Sequence, residues 1–156
     1  MHPIRCLSKT LPAMLAMGVG ALLPGNVDAL TLGHLKGAQL DGIYGTYAPG
    51  GDCTREPRIT VDDSGLAYML GGKATHSGKV EYAVSYGGQE YTGISQWIFP
   101  FPVSDDDFGR VLMTFNADEK AGKLLVDPDL GPGQGLSALQ AALVKASPFA
   151  RCAKGR

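Results

Sequence analysis

The sequence predicts a mainly β (α+β) fold: a curled antiparallel sheet or small β-barrel of about seven or eight strands, with one C-terminal helix. Three observations carry this. Short apolar runs alternate with period two. Compact turn signals separate them. Glycine is abundant, at 22 of 156 residues, a composition suited to many turns rather than long helices. Curling or closure is expected because a flat sheet would leave two open edges.

The elements follow in order. Leu30 to Leu40 reads as a short strand or a frayed end. Ile43, Tyr44, Thr46 and Tyr47 form a strand, and Ala48 to Cys53 turns around Pro49, Gly50 and Gly51. Arg58 to Val61 meets Asp62-Asp63-Ser64-Gly65, where short polar side chains bond nearby amides and glycine supplies positive φ. Leu66 to Leu70 is the return strand. Gly71-Gly72 turns the chain into a third short strand, Lys73 to His76. Lys79 to Tyr86 alternates cleanly, with Val80, Tyr82, Val84 and Tyr86 on one face. Gly87-Gly88 turns again into Tyr91 to Phe99, which Pro100 and Pro102 end because proline cannot donate to a ladder. Gly109 to Asn116 and Lys123 to Val126 form a hairpin across a polar loop. Ser137, with Gln140 three residues on, is a capping-box pattern. Leu136, Leu139, Leu143 and Ala146 make the helix's apolar stripe, and Pro148 stops it.

The first 29 residues read as a secretory leader. Arg5 and Lys9 precede an uncharged run, Leu11 to Leu23, of about 13 residues, the length of a signal core rather than a membrane span. Pro24 and Gly25 break it, and Val27-Asp28-Ala29 offers a cleavage site. Residues 30–156 are then one domain, expected in the periplasm or secreted, with no membrane span after cleavage. In an oxidising compartment its two cysteines, Cys53 and Cys152, are expected to pair. A bridge closing a loop of about 100 residues contributes at most about 4–5 kcal/mol in the chain-entropy account.

The net charge is −1, and 19% of residues are charged. No basic patch stands out, so a nucleic-acid partner is not expected. The domain has two histidines, His34 and His76, with no nucleophile motif beside them, and His76, next to Thr75, Ser77 and Gly78, reads as an exposed loop histidine. Asp105, Asp106 and Asp107 raise calcium, but consecutive carboxylates lack the alternating spacing of a binding loop, so no metal or other cofactor is expected. Glu81, Glu90 and the aspartate run are candidate paired carboxylates for sugar cleavage. The most suggestive surface is the stretch 86–101, which contains Tyr86, Tyr91, Trp97, Phe99 and Phe101. Exposed aromatics there would be binding hot spots, and buried ones ordinary core. The Gly87-Gly88 turn is expected to present Ser85, Tyr86, Tyr91 and Trp97 for binding.

The leader, the cysteine pair and the stretch Ser85-Tyr86-Gly87-Gly88-Gln89-Glu90-Tyr91 together resemble the small periplasmic lysozyme inhibitors of Gram-negative bacteria. That resemblance implies an exported β-barrel, a disulfide linking its termini, and a loop inserted into a lysozyme cleft. One such family uses a Ser-Gly-x-x-Tyr loop. Here Tyr86 follows Ser85, and Tyr91 lies further on. A C-terminal helix is not implied by the resemblance.

The resulting expectation is a non-enzymatic periplasmic binding protein, an inhibitor or immunity-type partner of a cell-wall hydrolase such as a lysozyme. Three alternatives stand beside it: a carrier holding a small apolar, lipid-like ligand in a β-barrel cavity, a weak cell-wall hydrolase, and a purely structural envelope protein.

Overall fold

Period-two alternation builds one antiparallel sheet in the computed structural model, which describes residues 30–77, 79–88, 90–101 and 110–153. The expected leader and the run Asp105 to Asp107 lie outside the described residues. The strands are β1 (Leu30–Leu32), β2 (Gly45–Pro49), β3 (Arg58–Asp62), β4 (Gly65–Leu70), β5 (Lys73–His76), β6 (Val80–Tyr82), β7 (Gln96–Phe99), β8 (Arg110–Phe115), β9 (Lys123–Asp129) and β10 (Phe149–Arg151). Their order across the sheet is β1-β6-β7-β8-β9-β10-β2-β3-β4-β5. The mainly β, curled architecture with one C-terminal helix is therefore the one expected.

The sheet is a curled half-barrel. Its edge strands β1 and β5 do not pair, yet the two ends are tied together. The Leu35 and Lys36 amides donate to the Asp63 carbonyl at 3.1 and 3.2 Å. Ser77 Oγ, just past β5, donates to the Pro100 carbonyl at 2.6 Å. Phe101 packs on Tyr68 across this seam, ring centres 5.2 Å apart.

Side chains fill the inner face. Tyr47, Tyr68, Phe115, Phe149, Ile98 and Met113 are all at most 1% exposed. Tyr47 and Phe115 meet edge to face at 5.4 Å. The helix, α1 (Ala138–Ala146), starts as the sequence predicts: Ser137 accepts from the Gln140 amide, and the Gln140 side chain accepts from the Ser137 amide. Leu143 is fully buried in the core, and Leu136, Leu139, Val144 and Ala146 pack against that core. None of the described helices is long and apolar enough to cross a membrane.

Several strands differ from expectation in extent. The stretch 79–86 is extended only as β6, and 91–99 only as β7. The ladder ends where the Ala83 amide donates to the Trp97 carbonyl at 2.9 Å, and the chain then winds into a 3-10 turn, Val84–Gly87. Residues 84–87 therefore fall outside β6, and Tyr86 leaves the strand face that it would share with Val80 and Tyr82. Beyond that point the Ile94 and Ser95 amides bond to side chains rather than to a partner strand. Conversely, Ala48 and Pro49, read as turn, end β2. The short β10, absent from the sequence reading, which ends its elements with the helix, pairs with both β9 and β2. It carries the chain to Cys152, whose disulfide to Cys53 joins Cα atoms 5.8 Å apart, within the usual span.

Candidate functional site

Alternation along β7 sends Ile98 inward, where it is buried, and Trp97 and Phe99 outward. The outward pair is the base of an aromatic ledge. Tyr86, delivered by the 3-10 turn, stacks near Trp97 with centres 6.4 Å apart and meets Phe99 edge-on at 6.0 Å. Tyr91 meets Trp97 edge-on at 5.1 Å. Arg110 of β8 lies over the Phe99 ring at 4.7 Å, and Glu81 and Asp129 hold it at 3.6 and 3.3 Å.

Burial grades along the ledge. Phe99 is buried, Trp97 half-buried, and Tyr91 and Tyr86 are 37% and 53% exposed. Aromatic rings standing in water cost hydrophobic free energy that burial would recover, so this gradient describes a surface with area left to cover. Three of the four expected contact residues, Tyr86, Tyr91 and Trp97, are thus brought together. Ser85 sits in the 3-10 turn beside them, and its side chain lies outside the described ones. Phe101 does not join the ledge, because the seam with Tyr68 takes it.

A carboxylate remote in sequence holds the ledge in place. Glu119 accepts from the Tyr91 hydroxyl, from the Ile94 amide at 2.7 Å and from Ser95 Oγ at 3.0 Å. The Tyr91 hydroxyl in turn accepts from the Ser95 amide at 2.6 Å. Asn116 Nδ2 donates to the Ile94 carbonyl at 3.0 Å, and its Oδ1 accepts from the Gly122 amide at 2.9 Å. The 91–95 loop therefore rests on the β8–β9 turn. That turn is strained: Asn116, Asp118 and Glu119 have φ of 52°, 56° and 58°, the left-handed region that non-glycine residues seldom occupy. Lys123 anchors it through an ion pair with Asp118.

Two glycines make room for Tyr91. A Cβ at Gly87 would stand 2.7 Å from Tyr91 Cγ, and one at Gly93 would stand 2.5 Å from both Glu119 Oε2 and Tyr91 Cζ. No side chain fits at either position without moving the ring. The electrostatics agree with this geometry. The Tyr91 hydroxyl first, and then the Ile94 amide, hold the Glu119 carboxyl below the usual carboxylate range. Burial, and then the nearby Tyr91, push the Tyr82 phenol up.

Beside the ledge lies a cavity of about 270 Å³ lined by Tyr82, Tyr91, Ser95, Gln96 and Trp97. Tyr82 closes one wall by donating to Gln96 Oε1. Reading the sequence misses Glu119 and Arg110. Nothing local marks Glu119, and only its position in the β8–β9 turn brings it to a loop 25 residues earlier.

The other candidate residues are dispersed. His34 and His76 are exposed, His76 as the last residue of β5. Glu81 is tied to Arg110, and Glu90 is exposed. Among the described residues, no three of His, Cys, Asp and Glu gather where they could hold a metal ion. Compared with protein-family models, curated proteins and solved structures, the chain matches none.

Proposed function

We propose that the chain is a non-enzymatic binding domain of the cell envelope. It uses the Tyr86–Trp97–Tyr91 ledge to grip a protein partner, and a cell-wall hydrolase of the lysozyme type is the specific candidate. The observation that carries the reading is the pre-organised exposure of the ledge: its rings stand partly in water while Glu119 and two glycines hold Tyr91 in one position. A rigid aromatic surface loses little conformational entropy on binding, which is how tyrosine and tryptophan become interface anchors. Export to the periplasm belongs to the same reading and rests on the leader-like first 29 residues. The resemblance to lysozyme inhibitors supplies the partner class.

The carrier alternative is supported less well. It needs an enclosed apolar space, and Tyr47, Tyr68, Phe115 and Phe149 occupy the inner face. A hydrolase would need converging carboxylates, and Glu81 is instead committed to Arg110. The test is a binding and inhibition assay of the oxidised chain against purified lysozymes and other peptidoglycan hydrolases. One enzyme bound saturably, with its activity reduced, is the expected result. Turnover of peptidoglycan by the chain itself would reject the reading.

A further inference from the structure

Where β6 stops, one margin of β7 is left open. The Ala83 amide donates to the Trp97 carbonyl, and among the described residues no strand pairs with Ser95 or Gln96 on that side. The gap is the notch of about 270 Å³ beside the ledge. Register sends Gln96 to the inner side with Phe115, and Trp97 to the outer side with Thr114. The two still meet at one cavity, because it lies at the open margin of the strand rather than on either face. Gln96, Trp97, Tyr82 and Tyr91 line it together.

The notch is uncharged: its lining contains no aspartate, glutamate, lysine, arginine or histidine. Glu119, which holds Tyr91, spends its oxygens on the Tyr91 hydroxyl, the Ile94 amide and Ser95 Oγ. Donors, by contrast, are left over. Gln96 Oε1 accepts from the Tyr82 hydroxyl, which orients the amide. The two N–H groups of Gln96 Nε2 then have no partner among the described residues, and neither has Trp97 Nε1, which can only donate. Both side chains are half-buried, where an idle donor gives up hydration that no bond replaces.

A ligand matched to these groups is neutral, has a flat apolar face and carries acceptor oxygens around its rim. A pyranose sugar with equatorial substituents has that form, with C–H groups on its faces and hydroxyls at its edge. We infer that the notch binds one neutral sugar ring, its face against Tyr91 and Trp97 and a rim oxygen accepting from Gln96 Nε2. A charged ligand would meet no counter-charge in the lining, and a wholly apolar one would leave the donors unpaired. The volume is below that of pockets for drug-sized molecules, in keeping with a single ring. This inference goes beyond the protein-partner reading, and either can stand without the other. Tyr86 does not line the notch, so substitution at Tyr86 tests the ledge and substitution at Gln96 tests the notch.

The test is a chemical-shift titration of the isotopically labelled, disulfide-bonded chain, read at backbone amides, the Gln96 side-chain amide and the Trp97 indole. The probes are cellobiose and N,N′-diacetylchitobiose, which differ in their acetamido groups, each against glycerol at matched hydroxyl concentration. The expected result is saturable shifts at the Gln96 side chain and the Trp97 indole, with Thr60 and Ala67 unmoved. A response to cellobiose alone assigns the ligand to plain hexoses. A response to diacetylchitobiose alone assigns it to N-acetylated sugars, and a response to both assigns it to neutral sugars generally. Gln96→Leu is expected to weaken binding about tenfold, as loss of two neutral hydrogen bonds does. Should that variant fail to fold because Tyr82 loses its acceptor, the double variant Tyr82→Phe/Gln96→Leu removes both partners of the bond and decides in its place. Shifts that glycerol reproduces, shifts spread equally to Thr60 and Ala67, no saturable shift with either sugar, or affinity unchanged in the folded Gln96 variant would overturn the inference.

Discussion

The β3–β4 hairpin and the loop from Ala83 to Ser95 are both glycine-punctuated returns between antiparallel strands, but their conformations come from different places. In the hairpin every determinant is local. Asp62 Oδ1 accepts from the Ser64 amide at 2.8 Å, and its carboxyl lies below the usual range because Ser64 donates to it. Gly65 takes φ of 122°, and five residue pairs zip together in register. In the loop the decisive anchor is remote. The Ile94 amide and the Tyr91 ring are held by Glu119, itself on a strained turn. A conformation imposed from outside can be tuned for presentation without altering the strands that carry it, and the two exposed tyrosines of the ledge, Tyr86 and Tyr91, sit on that loop.

The largest expected effect should not distinguish the two regions. Phe115→Ala cuts the shared inner face, where Phe115 is fully buried against Tyr47. A loss of about 3–5 kcal/mol is expected in denaturant unfolding, with hairpin and loop melting together. Separate transitions would show that the sheet does not fold as one unit.

The second substitution should separate them. Gly93→Ala places a Cβ against Tyr91 and Glu119, with an expected cost of about 1–3 kcal/mol and a displaced ledge. Gly71→Ala in the β4–β5 turn meets nothing within 4 Å, so its cost is confined to strained φ. The chain has a single tryptophan, Trp97, whose fluorescence reports the ledge directly. A shifted spectrum in Gly93→Ala and an unchanged one in Gly71→Ala is the expected pair. Ser137→Ala, which removes the helix cap, provides a smaller and remote control. It should cost about 1 kcal/mol by thermal unfolding and leave the Trp97 spectrum alone.

The smallest effect is electrostatic. Because the Glu119 carboxyl is held below its ordinary range, the latch on Tyr91 is fully present above the ordinary carboxylate pKa and lost as pH falls through the lowered value. Trp97 fluorescence should be flat from neutral pH down to the ordinary carboxylate range and change only below it. Glu119→Gln should remove that acid transition at little cost to overall stability. A transition near neutrality, or one that survives in Glu119→Gln, would show that another group holds the loop.

The same comparison explains what could be read from the sequence. The Asp62 to Gly65 turn, the Ser137 capping box, the Cys53–Cys152 bridge and the curled sheet all follow from neighbours in the chain or from simple pairing. The shortened β6 and β7 do not, because period-two alternation continues past the point where Glu119, from the β8–β9 turn, captures the Ile94 amide and the Tyr91 hydroxyl captures the Ser95 amide. β10 was hidden because three residues after a helix and a proline carry too little pattern to mark a strand. Tyr86, Tyr91 and Trp97 could be picked out as a candidate surface, but their grading from buried to exposed depends on long-range packing.

The central claim, that the ledge is a recognition surface, is tested most directly at Tyr86. It is the most exposed of the large apolar side chains described, and its ring contacts are with Trp97 and Phe99, so its removal should spare the fold. The measurement is the affinity of the oxidised chain for each member of a panel of purified lysozymes, wild type against Tyr86→Ala. The account predicts that one enzyme binds saturably and that the substitution weakens it by about 30-fold, the loss of an interface anchor worth about 2 kcal/mol. Failure of every lysozyme to bind, or equal affinity for the folded Tyr86→Ala chain, would contradict it.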